Sequence, residues 1–162
     1  MFESYLLGLT AIMLLCLIFW FIYLLTDLSS VIDTGWSLGI ALGGGIYLFQ
    51  ETLTVRSGII FICLMLWSVR LAGFLFWTRL IRKIKDKRYE KISENWTSKK
   101  FMFLLNYLFQ GWLMSLIAIP FYFVAKSSSA TFDLLDWFTL GIFIFALVFE
   151  SLSDWQLYLY QK

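Results

Sequence analysis

The sequence predicts an all-α fold: an integral membrane bundle of about five transmembrane helices, with one interfacial helix on its cytoplasmic side. Three observations lead there. Of the 162 residues, 60% are hydrophobic and only 15% charged, with a mean hydropathy of +0.79, well outside the composition of soluble domains. Five apolar stretches are each long enough, at about 1.5 Å per residue, to cross or nearly cross about 30 Å of hydrocarbon. Nine of the thirteen Lys and Arg residues fall in one loop, Arg79 to Lys100. The whole chain, 1–162, reads as a single transmembrane domain.

The first span is Tyr5 to Leu25. It is too long for a signal-peptide core and lacks a positive leader and a small-residue cleavage site, so it reads as a retained helix. The second, Thr34 to Phe49, is the least apolar, and its Gly35, Gly39 and Gly43 at four-residue spacing suit close approach of a neighbouring helix. The Gly43 to Gly45 run is not read as a phosphate loop, because no lysine follows it. The third span is Gly58 to Thr78, and the basic loop 79–100 follows. Within it Leu80, Ile81, Ile84, Tyr89, Ile92 and Trp96 share half of a helical wheel, which predicts an interfacial helix from Leu80 to Trp96. The fourth span, Phe101 to Ala125, holds the only proline, Pro120. The fifth, Phe138 to Tyr160, carries Glu150 and Asp154 on one face and is flanked by Trp137, Trp155, Tyr158 and Tyr160, an aromatic belt.

The loop 79–100 has nine basic and three acidic residues, net +6. The positive-inside rule places it in the cytoplasm, with the N-terminus outside and the C-terminus inside, and the expected location is a bacterial inner membrane. The two cysteines, Cys16 and Cys63, lie in apolar runs where a thiol acts as a small hydrophobe, so no disulfide framework or metal site is expected. The absence of histidine removes imidazole bases, serine-type triads and the usual haem and zinc ligands. Nothing points to nucleic acid. The bilayer is the expected partner, with a lipophilic substrate and a second chain as further expectations.

With this topology the intramembrane polar groups fall at one depth, in the leaflet next to the basic loop. Arg70 lies nine residues before Arg79, about 13 Å along the helix. Asn106 and Gln110 share a face of the fourth span, Asp33 and Trp36 open the second, and Asp154 stands near the end of the fifth, one turn past Glu150. A carboxylate at the centre of a membrane helix costs about 2.5–3.5 kcal/mol unless paired or hydrated. Structural explanations exist for each: Arg70 snorkels or pairs with Asp33, the amides tie helices together, the carboxylates are hydrogen-bond partners. Convergence instead marks a polar cavity, formed by Asp33, Trp36, Arg70 and Gln110, because ionisable groups in membranes mark ligand or ion pathways. The basic rim attracts anionic phosphates, and anionic lipid equally.

Five strings occur in order: Val31-Ile32-Asp33-Thr34-Gly35-Trp36-Ser37-Leu38-Gly39, Leu66-Trp67-Ser68-Val69-Arg70-Leu71, Lys85-Asp86-Lys87-Arg88-Tyr89, Phe109-Gln110-Gly111, and Phe149-Glu150-Ser151-Leu152-Ser153-Asp154-Trp155-Gln156. Together they resemble a membrane family of unknown function, DUF1295, related to steroid 5-alpha-reductase and expected to contain NADPH-dependent reductases. The resemblance implies cofactor-binding roles for Arg88, Tyr89, Glu150 and Asp154, and a place for Gln110 near that pocket. It assigns no catalytic residue, because the glutamate and tyrosine pair of the steroid-reducing relatives has no match: the second span offers Asp33 and Tyr47, the third only Arg70. Relatives also continue into helices bearing an Arg-x-His-Pro-x-Tyr type signature. The resemblance therefore implies the N-terminal membrane portion of an enone or sterol-type reductase, inactive alone. The alternatives are a non-catalytic scaffold that binds lipid or a partner, and an isoprenyl-cysteine type methyltransferase using S-adenosylmethionine.

Overall fold

The computed structural model describes residues 2–50, 52, 54–83, 85–126 and 132–160, and the described residues form helices and turns with no strand. The helices are α1 (Phe2–Thr26), α2 (Val31–Leu48), α3 (Val55–Leu75), α4 (Lys87–Ile92), α5 (Lys99–Ala125) and α6 (Leu134–Tyr160); α3 continues into a π-helical segment, Phe76–Ile81. Counting α3 with that segment, five helices are long and apolar enough to cross a membrane.

The least apolar of them is the centre of the bundle. Thirteen of the eighteen residues of α2 are buried, because α1, α3 and α5 all pack on it. Its glycines make that possible. A methyl group on Gly35 would lie 2.8 Å from the Phe19 ring of α1, one on Gly43 would lie 2.8 Å from Ile12 of α1 and 3.2 Å from Ala118 of α5, and one on Gly39 would meet Met114. Close backbone approach substitutes for apolar bulk, as in membrane helix pairs generally. The α1–α5 contact works the same way, with Gly111 against the Cys16 thiol.

The α1–α2 turn closes at Asp27, whose φ of 56° and amide bond to the Tyr23 carbonyl (2.8 Å) end α1. α3 ends likewise at Lys83, with φ 52°. That turn overturns one expectation: a single interfacial helix from Leu80 to Trp96 does not form. Asp86 instead starts a new, six-residue helix by accepting a hydrogen bond from the Arg88 amide. The proposed apolar half-wheel divides accordingly: Tyr89 is buried, Ile81 and Ile92 are half-exposed, and Ile84 lies outside the described residues. Residues 127–131, part of the polar stretch Lys126 to Thr131 that separates the fourth and fifth spans in the sequence and reads as a turn, also lie outside the described residues.

α6 stands apart. None of its described residues is buried, and it runs parallel to α3, tied to it at successive levels by Arg56–Asp136, Arg70–Asp154 and Arg82–Tyr158.

Candidate functional site

The polar residues singled out in the sequence collect into two groups rather than one. The first sits at the basic end. Asp33, in the first turn of α2, accepts hydrogen bonds from the Tyr89 hydroxyl (2.7 Å), from Arg88 Nη2 (3.1 Å) and from Arg79. Asp86 binds the Arg88 guanidinium (2.7 Å at Nη2) and lies 3.3 Å from Arg79. The Arg88 hydrogen bond holds the Asp86 carboxyl well below the usual carboxylate range, with Arg79 adding to the effect. Burial pushes the Tyr89 phenol above its ordinary value, which keeps it a hydrogen-bond donor. Next to this cluster the Trp36 indole donates to Gln110 Oε1 (2.7 Å), and Gln110 Nε2 donates to Asn106 (2.6 Å). Thus Asp33 with Arg88 and Tyr89, and Trp36 with Gln110, form two adjoining sets at this end; the Tyr89 hydroxyl ties α4 to α2 and its ring meets Phe103 of α5.

The second group lies between α3 and α6. Arg70 Nη1 donates to Asp154 (2.5 Å), and Nη2 stands 2.6 Å from Glu150 in an ion pair that is off the hydrogen-bond line. Its Nε, also buried, has no hydrogen-bond partner. The expectation that Arg70 pairs with Asp33 fails: Asp33 is taken by Arg79, Arg88 and Tyr89, while Arg70 faces α6. Among the described residues no hydrogen bond or ion pair joins the two groups. The single polar cavity expected from equal depth is therefore divided, because depth along the membrane says nothing about which side of a helix a residue occupies.

Beside the second group, α3, α5 and α6 enclose a cleft of about 730 Å³, within the usual range for small-molecule sites. Its lining is apolar over most of its surface, including Cys63 and Trp67 of α3, Phe121 of α5 and Phe143 of α6. Pro120 also lines it; a proline has no amide to offer the carbonyl one turn back. Acidic residues mark both ends, Asp136 and Glu150, fourteen residues or about 21 Å apart along α6.

Sequence reasoning missed the cleft and the pair Arg56–Asp136 (2.5 Å). A signal for both existed. Arg56 and Arg70 are fourteen residues apart on α3, as are Asp136 and Glu150 on α6, so each pair repeats after about four helical turns on one face. Two parallel helices with matched charges at matched intervals face each other. Arg79, Arg82 and Asp86, read only as loop charge, are likewise structural partners.

The four residues assigned to a cofactor divide in the same way. Arg88 is 63% exposed on its side chain among the outward-facing Lys83, Lys87 and Lys91, a surface whose charge suits phosphate. Glu150 and Asp154 belong to a different face and are both engaged by Arg70. As arranged, the set does not form one dinucleotide-shaped pocket.

The family model described as "Protein of unknown function (DUF1295)" matches residues 19–162. No curated protein and no solved structure matches the chain.

Proposed function

We propose, from the premise that this chain belongs to the DUF1295 family, that it is the membrane-embedded part of a reductase-type enzyme and that the α3–α5–α6 cleft holds a lipophilic substrate within the bilayer. One observation carries this reading: a cleft of about 730 Å³ with an almost wholly apolar lining, flanked by a helix with no buried residue and ending on a carboxylate. A wall that buries nothing lets a hydrophobic molecule pass sideways from lipid, where such molecules concentrate. The rest of the polar inventory fits this division of labour. The Asp33–Arg79–Asp86–Arg88–Tyr89 network closes the basic end, and the exposed cations around it suit the phosphates of the NADPH that the resemblance implies. NADPH would supply hydride; this chain's part is to hold the substrate away from water and to gather phosphates at the basic end.

Cys63 provides a native reporter, since it lines the cleft and is a free thiol. In lipid nanodiscs, a steroidal enone added as a probe should slow modification of Cys63 by N-ethylmaleimide in a saturable manner. NADPH should bind separately and weaken as salt rises, with Lys87→Ala/Arg88→Ala lowering its affinity by about tenfold. If Cys63 reacts at the same rate with and without saturating enone, the substrate chamber is elsewhere. NADPH affinity indifferent to both salt and the double substitution removes the phosphate surface from the reading.

A further inference from the structure

We infer that the cleft selects, among lipophilic molecules, a slender amphiphile whose polar head donates a hydrogen bond to Glu150, as an alcohol does and an ether does not. This rests on the preceding reading of the cleft as a lipophilic site and adds to it the chemistry of the head and the direction in which the molecule lies.

Charge is the first ground. At the inner end of the cleft two carboxylates, Glu150 and Asp154, face one guanidinium, that of Arg70. Asp154 takes the aligned hydrogen bond from Arg70 (2.5 Å), while Glu150 has only the misaligned contact with Nη2. The Glu150 side chain is 42% exposed and is the cleft's own lining residue from this group. A carboxylate oxygen has more acceptor sites than one misaligned contact fills, and inside a membrane a hydrogen bond to an ionised oxygen is stronger than the same bond in water. The unfilled capacity at Glu150 is therefore for a donor. An acceptor-only head, such as an ether, would set its lone pairs against a carboxylate that has nothing to give.

Shape is the second. From Glu150 the cleft runs about 21 Å along α6 past Leu147, Phe143 and Thr139 to Asp136. At that far end Arg56 also faces two acids: it donates to Asp136 Oδ2 through Nε (3.1 Å) and Nη2 (2.5 Å), and its Nη2 lies 3.8 Å from Asp133. The Thr139 hydroxyl donates its proton to the Leu135 carbonyl one turn back. Of the two carboxylates that line the ends of the cleft, Asp136 accepts aligned hydrogen bonds from a guanidinium and Glu150 accepts none, so the molecule binds head toward Glu150 and hydrocarbon toward Asp136. Ala146 is the small residue in the wall between them, one turn from Glu150, and a bulky side chain there would block the slot.

Dehydroergosterol, a fluorescent 3-hydroxysterol, and its 3-methyl ether make the test, with energy transfer from Trp67 as the readout and Trp67→Phe to assign the signal. In nanodiscs the alcohol should bind at least about tenfold more tightly than the ether. Glu150→Leu should bring that ratio close to one, whereas Glu150→Gln, which keeps an acceptor oxygen, should retain part of it. Ala146→Trp should abolish saturable binding of both. Equal affinity for alcohol and ether in the unsubstituted chain, with Ala146→Trp still blocking both, would overturn the head-group inference and leave the lipophilic cleft standing. Saturable binding that survives Ala146→Trp would remove the cleft reading itself.

Discussion

Replacing Arg70 with Gln should loosen α6 from the rest of the bundle. No described residue of α6 is buried, and apolar contact gives membrane helices little net reason to associate, since lipid tails are as apolar as leucine. Docking of α6 therefore depends on its polar ties to α3, of which Arg70 makes the central two. Polar contacts between membrane helices are worth about 0.6 kcal/mol on average and up to about 1.7, so the pair made by Arg70 contributes about 1–3 kcal/mol. Stranding Glu150 and Asp154 without a cation adds a penalty in the same direction, moderated by the exposure of Glu150. At about 2 kcal/mol the ratio of docked to undocked α6 falls by about 30-fold. Spin labels at Lys83 and Tyr160, in a chain with both cysteines changed to Ala, would report the separation of the α3 and α6 ends in nanodiscs. The unsubstituted chain should give one narrow distance distribution, and Arg70→Gln should add a broad, longer component. Changing Arg70, Glu150 and Asp154 together to Leu should recover part of the narrow distribution, because no unpaired charge then remains. Identical distributions for the unsubstituted chain and Arg70→Gln would refute the claim that these ties hold the helix.

The glycine contacts predict unequal tolerance: Gly111→Leu, driven against the Cys16 thiol at 2.8 Å, should destabilise the chain by about 1–3 kcal/mol, whereas Gly141→Ala, with nothing within 4 Å, should leave thermal stability unchanged or slightly raised. Both are read from the loss of folded protein on heating in detergent. The depressed Asp86 carboxyl gives a pH prediction with a definite sign. Its stabilising contribution is complete above the ordinary carboxylate value near 4 and is lost as pH falls from there toward the lowered folded value. A spin label at Lys91 should thus stay immobile from pH 7 down to about 4 and loosen only below that, and loosening already between pH 7 and 5 would exclude Asp86 as the cause. For sidedness, Lys91→Cys in spheroplasts should resist an impermeant thiol reagent and Thr52→Cys should react, in a background lacking Cys16 and Cys63; the reverse pattern would place the basic end outside.

The helices were legible because each is a long apolar run, and residues 5–25, 101–125 and 138–160 fall within helices only a few residues longer. α2 was the least legible and is the most buried, for a single reason. Its interior position comes from Gly35, Gly39 and Gly43, whose contribution is closeness rather than hydropathy, so a hydropathy scale undervalues the element on which the bundle is built. The interfacial helix was misjudged because a half-wheel pattern records which residues are apolar and not where the backbone can turn; Lys83 and Asp86 interrupt it with a left-handed residue and a new cap. Of the polar groups read at one depth, Trp36 and Gln110 share a hydrogen bond, whereas the contact of Asp33 with Tyr89 had no counterpart in that reading. Azimuth was the missing coordinate, and for that reason Arg70 was offered Asp33 as a partner when it turns the other way, to α6.

The matched fourteen-residue intervals on α3 and α6 bear on why so much charge is kept inside an apolar helix pair. Two helices meant only to adhere could do so through small residues, as α1, α2 and α5 do here, without the cost of burying ions. Charged pairs at two levels, with an apolar slot between them, fix the register and spacing of α6 while leaving its face unfilled. At the Asp136 level Arg56 aligns two nitrogens on Asp136 Oδ2 and lies 3.8 Å from Asp133. At the Glu150 level Arg70 also meets two acids, but the one that lines the cleft, Glu150, is the one left without an aligned hydrogen bond. That asymmetry distinguishes the cleft from an accidental gap between loosely associated helices. A packing defect has no reason to end at one side on a carboxylate with aligned hydrogen bonds and at the other on a carboxylate with none, whereas a slot for an oriented amphiphile uses that difference between its two ends.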